Sequence, residues 1–544
     1  MGAVPGQFEG ASMTARGFDP KALAGKVPPP ERRVEVLVIG AGPAGVAAAL
    51  EARAGGAEVL LIDENPVSAG LMGLDVPHYW GGRYTGAVQV KARMMEQVFA
   101  ANPALEQAFE AGVELELGVY CWGAWVPGYG LASLPEPLAG LADEERSWMV
   151  GFERLIVATG ARDVAFSFAG WDQPGVMGAR ALQALLSRYD AFAGRRLVIL
   201  GSGELATRTA EAALARGLEV TTLVDIAETT PAPMGEVAAA GVETLSNTVP
   251  VRAMGGPHGV ERLIVRHLAT GAERVLDCDT VVQAISETPA IELLDVLGAA
   301  LAMQPTLGGH APVSPDGTAT SLAAVFIAGD VAGAPGGAGS SLHEVEASGR
   351  RAGQAVLASL GRAPAIPPWP RATSPVDAVA RQQAWMRALM ATTDPSVIVC
   401  QCEEVTRGAL LAVRQPAYLG LPPPALAARD LGRLLEDGPA NQDQIKRLTR
   451  ACMGPCQARR CREQVALILA CASNEAAERI PLAGYRAPVR PLALSVLAAW
   501  DEDPVMAAHW DVWFGIKGQW TPYADIGTER ESQYDNLLGG DAHL

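Results

Sequence analysis

The chain has 544 residues, 49% of them hydrophobic, and its 43 basic and 60 acidic side chains give a net charge of −17. At about 150 residues per domain this length allows several domains, and the acidic balance argues against a nucleic-acid partner, because phosphate binding draws on a basic surface. No apolar run approaches the roughly 18 residues of a membrane span, so we expect none.

Residues 1–33 are rich in Gly, Pro and charge, and we predict an extended arm, with plain disorder as the alternative. Residues 34–39 form a mostly apolar run, followed by the turn Gly-Ala-Gly-Pro-Ala-Gly, an Ala-rich helix and a second apolar run at residues 59–62. This order predicts a dinucleotide-binding fold. At the end of the second strand we favour Asp63 as the ligand of the ribose hydroxyls, with Glu64 as its competitor.

Each glycine of this turn has its own task. Gly40 permits the tight turn, Gly42 lets the backbone approach the pyrophosphate, and Gly45 lets the helix and strand pack closely. The helix that starts around Ala44 then offers free amide groups to the phosphates.

Two later segments turn the dinucleotide prediction into a prediction of FAD. Residues 155–160 are a strand that ends in Ala-Thr-Gly, and residues 324–330 are a strand that ends in Gly-Asp. They resemble elements of two-dinucleotide-domain flavoproteins, in which the Asp contacts the ribityl and pyrophosphate region. The cofactor contacts implied by this resemblance are Thr159, Gly160, Gly329 and Asp330; a solvated turn is the alternative for the aspartate.

A second unit of the same type is nested between these segments. It has a strand at residues 196–200, a turn with Gly201 and Gly203, and a second strand that ends at Asp225. Glu204 places negative charge beside the intended phosphates, whereas Asp225 suits an adenosine ribose and repels a 2′-phosphate. NAD, an adenine nucleotide such as ATP, and a purely structural fold are equal alternatives for this unit.

Five of the eight cysteines lie between residues 400 and 461. We expect a reducing, cytoplasmic location, because a secreted disulfide framework would be shorter, more evenly stapled and preceded by a signal segment. Clustered thiols in such a compartment are more often metal ligands than bridges. We also expect residues 403–406 to open a helix, with their acidic side chains at its positive end.

The C-x-C pair Cys400 and Cys402 and the C-x-x-x-x-C pair Cys456 and Cys461 fit a [2Fe-2S] cluster, which needs four thiolates. Zinc is the rival, but zinc sites of this type usually carry two C-x-x-C pairs. Cys452 is an alternative to either member of the second pair. The nearby cations either offset an anionic cluster or form a solvated helix face, and they are Lys446, Arg447, Arg450, Arg459, Arg460 and Arg462.

Residues 399–406 and 446–457 resemble the bacterioferritin-associated-ferredoxin-like domain that is fused to FAD-dependent oxidoreductase subunits. The family is that of the hydrogen cyanide synthase flavoprotein subunit and the α subunits of opine and octopine oxidases and of heteromeric proline and hydroxyproline dehydrogenases. The resemblance implies the same four cysteine ligands, a β subunit of amino-acid-oxidase type with its own FAD, and a small third subunit.

The chain departs from this family in several places. The Gly-Gly pair expected soon after the second strand is missing at residues 65–70, and an insertion with Trp and Tyr follows near residues 78–84. Cys452 stands where Gly is common, and residues 421–424 lengthen the cysteine spacing. The tail beyond about residue 495 is long, and we expect its tryptophans to be buried against a partner or the body of the chain. They are Trp500, Trp510, Trp513 and Trp520.

The predicted fold class is α/β, with two nested, glutathione-reductase-like dinucleotide-binding domains and a small, mostly α C-terminal domain. The predicted boundaries are 1–33 for the arm, 34–170 and 285–362 for the FAD-binding domain, 171–284 for the second nucleotide-binding domain, 363–396 for a linker and helix, 397–484 for the [2Fe-2S] domain and 485–544 for the Trp-rich tail.

The resemblance implies an α subunit that relays electrons, through FAD and a [2Fe-2S] cluster, from the C–N bond of an amino-acid-like amine, imino acid or opine. The sequence names no catalytic base; His343 is either a proton donor near the flavin or a structural or solvent-facing residue. Cys121 and Cys278 are isolated, so we expect no redox-active disulfide. The alternatives are a self-contained NADH-dependent oxidoreductase that reduces a protein acceptor, and a scaffold subunit with a vestigial flavin site.

Overall fold

The computed structural model describes residues 29–67, 82–128, 134–230, 233–333, 341–365, 367, 376–420, 429–499, 528 and 530. Most of the predicted arm, residues 68–81 with most of the insertion, the Pro-rich residues 421–424 and the four tail tryptophans lie outside this part of the chain. Within it, none of the helices combines the length and apolar character needed to cross a membrane.

The predicted strands and helices of both nucleotide-binding units are present, with ends that shift by at most a few residues. The strands are β1 (Arg32–Ile39), β2 (Val59–Asp63), β3 (Glu114–Leu117), β4 (Tyr120–Trp125), β5 (Leu138–Ala142), β6 (Ser147–Val157), β7 (Ala161–Asp163), β8 (Val176–Gly178), β9 (Arg196–Leu200), β10 (Glu219–Val224), β11 (Glu243–Leu245), β12 (Thr248–Gly256), β13 (Gly259–His267), β14 (Glu273–Asp277), β15 (Thr280–Gln283), β16 (Glu287–Pro289), β17 (Leu301–Gln304), β18 (Gly309–Pro312), β19 (Val325–Ile327), β20 (Ile398–Cys400) and β21 (Val405–Thr406). The α-helices are Pro43–Ala54, Lys91–Ala101, Ala104–Glu110, Ala179–Gln183, Glu204–Leu214, Gly235–Ala239, Glu292–Leu297, Leu342–Ser359, Ala378–Thr392, Arg407–Leu411, Leu431–Asp437, Gln442–Thr449, Arg462–Ser473 and Leu494–Ala498.

The first sheet brings three predicted motifs to one edge. β1 pairs in parallel with β2 on one side and with β6 on the other, and β19 pairs in parallel with β6. Ile39, Val157 and Ile327, the last residues of β1, β6 and β19, lie in one register row. The segments that follow them therefore all begin at the carboxyl edge of the sheet, where nucleotides bind in folds of this type.

The second sheet is inserted into the first. Its strands run in the parallel order β11-β10-β9-β15-β8, and the antiparallel sheet β12-β13-β14 accompanies them. The chain enters this unit after β7 and leaves it before β16, and these two strands pair with each other. The nested arrangement predicted from the two glycine turns is therefore confirmed.

The cysteine-rich region, residues 397–484, has the short strands β20 and β21 and several helices. The expectation that residues 403–406 open a helix is wrong. Residues 401–404 form a turn, β21 follows, and the helix begins only at Arg407. Glu403 is buried and pairs with Arg450 at 2.7 Å. The guanidinium of Arg450, and not the dipole of a helix, therefore balances the charge of this carboxylate.

The helix Ala378–Thr392, which follows the Pro-rich linker, is built into the body of the protein. Trp385 is fully buried, with its ring 6.5 Å from that of Phe166. The same hydrophobic core joins Val198 of β9 to Val465 of the cysteine-rich region. This region therefore packs directly on the second nucleotide-binding unit.

Asp163 is the last residue of β7, where the chain passes from the first unit into the second, and it binds the start of the helix Ala179–Gln183. Its carboxylate accepts the backbone amides of Arg180 at 3.0 Å and Ala181 at 3.3 Å. A Cβ on Gly178 would lie 2.0 Å from a carboxylate oxygen, so no side chain fits between them. Burial raises the pKa of Asp163 to about 7, although the two amides oppose the rise.

We predict that Asp163→Asn reduces the loss of stability with rising pH. An unfolded Asp has a pKa of about 3.9, so between about pH 4 and about pH 7 the unfolded chain releases this proton while the folded chain keeps it. The wild type should therefore lose about 2 kcal/mol between about pH 5 and about pH 8, and D163N should not. Thermal unfolding at both pH values measures this difference, with the exposed Asp172→Asn as the control. A pH-independent difference between D163N and the wild type would contradict the prediction.

Candidate functional site

The glycine turn after β1 has the geometry that its sequence predicts. Gly40 has a φ of +106°, and a Cβ there would lie 2.4 Å from the carbonyl oxygen of Ala158. A Cβ on Gly45 would lie 1.8 Å from the carbonyl oxygen of Gly40, so the helix Pro43–Ala54 packs on the turn without room for a side chain. Gly42 caps this helix and faces open space. The amide end of the helix is therefore accessible to an anion.

The turn opens onto a cavity of 1190 Å³. Gly45 lies beneath the turn and not on the cavity wall, and Gly201 and Gly203 belong to the second unit. The other predicted nucleotide-binding residues all line the cavity, and they are Gly40, Gly42, Ala44, Asp63, Glu64, Thr159, Gly160, Gly329 and Asp330.

The two acids after β2 line the cavity and also hold other parts of the protein. Asp63 accepts the backbone amide of Ala41 in the glycine turn at 2.5 Å and that of Asn65 at 2.8 Å. Glu64 forms an ion pair with Arg490. Burial raises the pKa of Glu64, and the charge of Arg490 opposes this rise. Asp63 therefore braces the turn, and Glu64 ties the cavity to the C-terminal segment.

Asp330 is held at the cavity wall by an arginine bridge. Gly329 has a φ of +74°, and a Cβ there would lie 2.8 Å from the Cβ of Ala44, so Asp330 comes close to the glycine turn. Arg180 donates to Asp330 through Nη2 and to Glu287 through Nε, both at 2.7 Å. Although burial opposes it, the two carboxylates raise the pKa of Arg180.

Sequence reasoning missed most of the positive charge on the cavity walls. The arginines that line the cavity are Arg53, Arg162, Arg180, Arg188, Arg350, Arg459 and Arg490. Only Arg459 is marked by the sequence, through its place among the cysteines. The others lie in separate segments without a motif, so tertiary packing alone brings them together. Acidic side chains line the same walls, and Arg162, Arg180, Arg350 and Arg490 are ion-paired with them.

The glycine turn of the second unit repeats the backbone geometry of the first. Gly201 has a φ of +111°, and a Cβ there would lie 2.4 Å from the carbonyl oxygen of Ala284. Gly203 caps the helix Glu204–Leu214 and faces open space. The exposed Glu204 stands in the first turn of that helix, as its position in the sequence implies.

The acid of the second unit is engaged by the protein itself. Asp225 has 0% exposure, accepts the hydroxyl of Ser202 at 2.7 Å and the amide of Ala227 at 3.0 Å, and forms an ion pair with Arg381. Arg381 belongs to the helix Ala378–Thr392, which no nucleotide motif includes. The carboxylate expected to meet an adenosine ribose therefore already has a cationic partner.

The five cysteines between residues 400 and 461 lie together, and all eight cysteines of the chain are free thiols. Cys402 and Cys456 form one hydrogen-bonded pair, and Cys400 and Cys461 form another. Cys452 lies beside the second pair, with its Sγ 3.6 Å from that of Cys461. Only Cys402 of the five is partly exposed. The four predicted ligands are thus brought together, with one additional thiol.

Backbone amides point at these thiols. The amide of Cys452 donates to Cys400, that of Cys456 to Cys402, and that of Arg460 to Cys456. The hydrogen bond from the thiol of Cys456, opposed by burial and supported by the amide of Cys456, lowers the pKa of Cys402 to about 6. Such donors stabilise the thiolate, which is the metal-binding form. Among the described residues no group of three or more His, Cys, Asp and Glu side chains is placed to hold a metal ion, and the thiols are arranged in pairs.

Arg162 joins the cavity wall to the cysteine-rich loop. Its guanidinium donates to Glu292 at 2.7 Å, to Glu463 at 2.7 Å and to the carbonyl oxygen of Arg459 at 2.9 Å. Although burial opposes it, the charge of Arg162 lowers the pKa of Glu463 to about 2. Arg162 and Arg459 both line the cavity, and Arg459 lies two residues before Cys461. The thiols therefore lie behind one wall of the cavity.

The cations around the cysteines fall into two groups. Arg459 and Arg462 are buried, and the guanidinium of Arg462 lies 3.9 Å from the ring centre of Tyr485. Arg447 is exposed and pairs with Asp443 one turn away. Arg447 therefore fits the interpretation as a solvated helix face, whereas Arg459 and Arg462 do not.

The structure also places two other features of the sequence, His343 and the start of the C-terminal tail. His343 is exposed at the start of the helix Leu342–Ser359 and does not line the cavity. Residues 485–499, grouped with the tail, pack on the body of the protein, where the amide of Val489 donates to the carbonyl oxygen of Trp122 at 2.7 Å. Arg490 therefore reaches the cavity from a segment that was not expected to contribute to it.

Residues 34–357 match the family model described as pyridine nucleotide-disulphide oxidoreductase, and residues 425–501 match the sarcosine oxidase A3 domain. An opine oxidase subunit from Agrobacterium tumefaciens is 26% identical over 500 residues, which are 85% of this chain and 91% of that protein. Hydrogen cyanide synthase subunit HcnB of Pseudomonas aeruginosa is 26% identical over 488 residues, 78% of this chain and 90% of that protein.

The solved structure of L-proline dehydrogenase from P. horikoshii superposes with a TM-score of 0.57 at 19% identity, over 87% of this chain and 81% of that chain, which shows a shared fold. These relatives confirm the predicted resemblance to opine oxidase and hydrogen cyanide synthase subunits. The first family model covers more than half of the residues, so this chain belongs to the pyridine nucleotide-disulphide oxidoreductase family.

Proposed function

We propose that this chain is the FAD- and [2Fe-2S]-containing α subunit of a heteromeric oxidoreductase. It receives electrons from oxidation of the C–N bond of an amino-acid-like amine, imino acid or opine, and relays them to an acceptor. One observation carries the proposal: Arg162 and Arg459 line the nucleotide cavity, and Arg459 lies in the loop between Cys456 and Cys461. A nucleotide in the cavity and a metal centre on the thiols would be neighbours.

The cavity suits FAD in volume and in backbone geometry. Its 1190 Å³ exceeds the roughly 300–1000 Å³ of a typical small-ligand site, as a whole dinucleotide requires. Gly42 and the helix amides behind it would hold the pyrophosphate, Asp63 or Glu64 the ribose hydroxyls, and Asp330 the ribityl region. When bound, the flavin accepts two electrons and releases them singly.

The thiols suit a [2Fe-2S] cluster better than a zinc ion. A structural zinc ion needs four ligands that converge on one point, whereas the thiols form the pairs Cys402 with Cys456 and Cys400 with Cys461. A [2Fe-2S] cluster takes two ligands on each iron, which matches two pairs. Amides directed at the sulfur atoms and the buried Arg459 would raise the reduction potential of such a cluster.

The wall between the two centres is packed protein. Arg162 and Glu292 are each 7% exposed, and Arg459 is 9% exposed. Arg162 holds the loop of the cysteines against the segment that follows Thr159 and Gly160. The task of these residues is to fix the separation and orientation of the two centres.

The chain would act with partners. Both relatives described above are named as subunits, and the sarcosine oxidase A3 model matches residues 425–501, which hold Cys452, Cys456 and Cys461. We propose a β subunit of amino-acid-oxidase type with its own FAD as the site of C–N oxidation, and a small third subunit. Eight free thiols fit a reducing compartment, and we place the protein in the cytoplasm.

The main alternative is a self-contained enzyme in which NADH bound to the second unit reduces the flavin. The ion pair between Asp225 and Arg381 argues against it, because the buried carboxylate is not available to a ribose. Glu204 at the helix N-terminus adds repulsion toward phosphates. We propose that the second unit does not deliver hydride.

The two glycine turns provide a matched test of FAD binding. Gly42→Val would place a side chain where the pyrophosphate lies, and its Cβ would have no protein atom within 4 Å. We expect G42V to fold and to bind flavin at least about tenfold more weakly than the wild type, which corresponds to a loss of about 1.4 kcal/mol or more in binding free energy. Gly203→Val, the equivalent change in the second turn, should keep its flavin. Flavin absorbance per chain is the measurement, and equal flavin in both variants would contradict the assignment.

Anaerobic titration with NADH tests the role of the second unit. We expect the flavin absorbance of the purified chain to remain that of the oxidised form at excess NADH, while dithionite bleaches it. Reduction by NADH within the time of enzyme turnover would contradict this expectation and favour the self-contained enzyme. The dithionite control shows that the flavin is accessible to reduction.

A further inference from the structure

The five thiols between residues 400 and 461 are one more than a [2Fe-2S] cluster needs. Cys452 is 3% exposed, and its sulfur lies within hydrogen-bonding distance of Cys461, at 3.6 Å. It has a φ of +72°, a left-handed conformation that favours glycine, yet a thiol side chain stands there. A thiol with this backbone conformation thus lies next to a predicted ligand.

Cys452 is held in place from several directions. Gln442 has 0% exposure, and its Nε2 lies 3.7 Å from the sulfur of Cys452. The same amide nitrogen donates to the carbonyl oxygen of Arg462 at 2.5 Å, and Oε1 accepts the amide of Ala483 at 2.8 Å. The backbone amide of Cys452 itself donates to the thiol of Cys400. The sulfur is thus fixed among the ligands and is not a mobile surface thiol.

The contacts of Cys452 favour one ligand over the other. Cys456 is paired with Cys402, on the partly exposed side of the cluster of thiols. Cys461 instead contacts both Cys400 and Cys452. A metal position that Cys461 occupies therefore adjoins the sulfur of Cys452, which lies 3.6 Å from that of Cys461.

We propose that Cys452 is a reserve ligand for the metal position of Cys461, and this proposal rests on the [2Fe-2S] cluster proposed above. In the structure the thiol of Cys461 donates to the sulfur of Cys452; with Cys461 bound to the metal its sulfur has no proton, so the thiol of Cys452 becomes the donor of this hydrogen bond. When Cys461 is lost, Cys452 releases its proton to solvent and forms the metal–sulfur bond in its place. No electron is gained or lost in this exchange.

Substitution of single cysteines in the full-length, anaerobically purified chain tests the proposal. We expect Cys461→Ser to keep iron and acid-labile sulfide within about twofold of the wild type, with a changed electron paramagnetic resonance spectrum after reduction by dithionite. The iron and acid-labile sulfide of the double variant C452S/C461S should fall at least about tenfold below those of the wild type. Cys456→Ser, which has no reserve thiol, should lose its iron like the double variant. Flavin content per chain reports whether each variant is folded.

A second variant gives an answer even if C461S does not fold. Cys452→Ala should keep its iron but lower the midpoint potential of the cluster, because it removes a hydrogen bond to a ligand sulfur. Loss of iron from C452A would show that Cys452 is itself a ligand of the cluster. An unchanged midpoint potential would show that Cys452 does not donate a hydrogen bond to a ligand sulfur. Either result overturns the proposal. So does loss of iron from C461S with normal flavin content.

The outcome for the wild type separates this proposal from the one on which it rests. A wild-type chain without iron refutes the cluster and the reserve ligand together. A wild-type chain with iron that C461S cannot retain refutes the reserve ligand alone and leaves the proposed relay intact.

Discussion

The buried guanidinium of Arg162 is the interaction on which the relative placement of the parts of this molecule depends. A charge in a protein interior must be paired and hydrogen-bonded. Arg162 meets this requirement with Glu292, Glu463, the carbonyl oxygen of Arg459 and, at 3.1 Å, the hydroxyl of Tyr485. These partners come from the first domain, the cysteine-rich loop and the C-terminal segment. Removal of one partner leaves a buried charge, so the three regions are fixed together.

The two nucleotide-binding units show how one sequence pattern reaches two different structures. Gly42 and Gly203 have the same place in their turns, and both face open space. The acids that follow differ, because Asp63 lines a large cavity whereas Asp225 is buried under Arg381. The difference arises in a helix outside both motifs, so it belongs to the tertiary structure and not to the pattern.

The features that could be predicted from the sequence are those determined by neighbouring residues. Gly40 and Gly45 imply a turn and a close helix contact because the constraint is local, and the nested order of strands follows from two such turns. Arg381 and Arg490 could not be predicted, since their partners lie far away in the chain. The helix expected around Glu403 was wrong for the same reason: burial against a distant arginine decides the fate of this acid, and local charge does not.

In the proposed subunit, a flavin and an iron–sulfur cluster share the wall that Arg162 holds. Quantitative analysis of FAD, iron, acid-labile sulfide and zinc in the anaerobically purified chain tests this arrangement most directly. We predict about one FAD with about two iron atoms and about two sulfides per chain. Stoichiometric FAD with zinc or with no metal would contradict the relay.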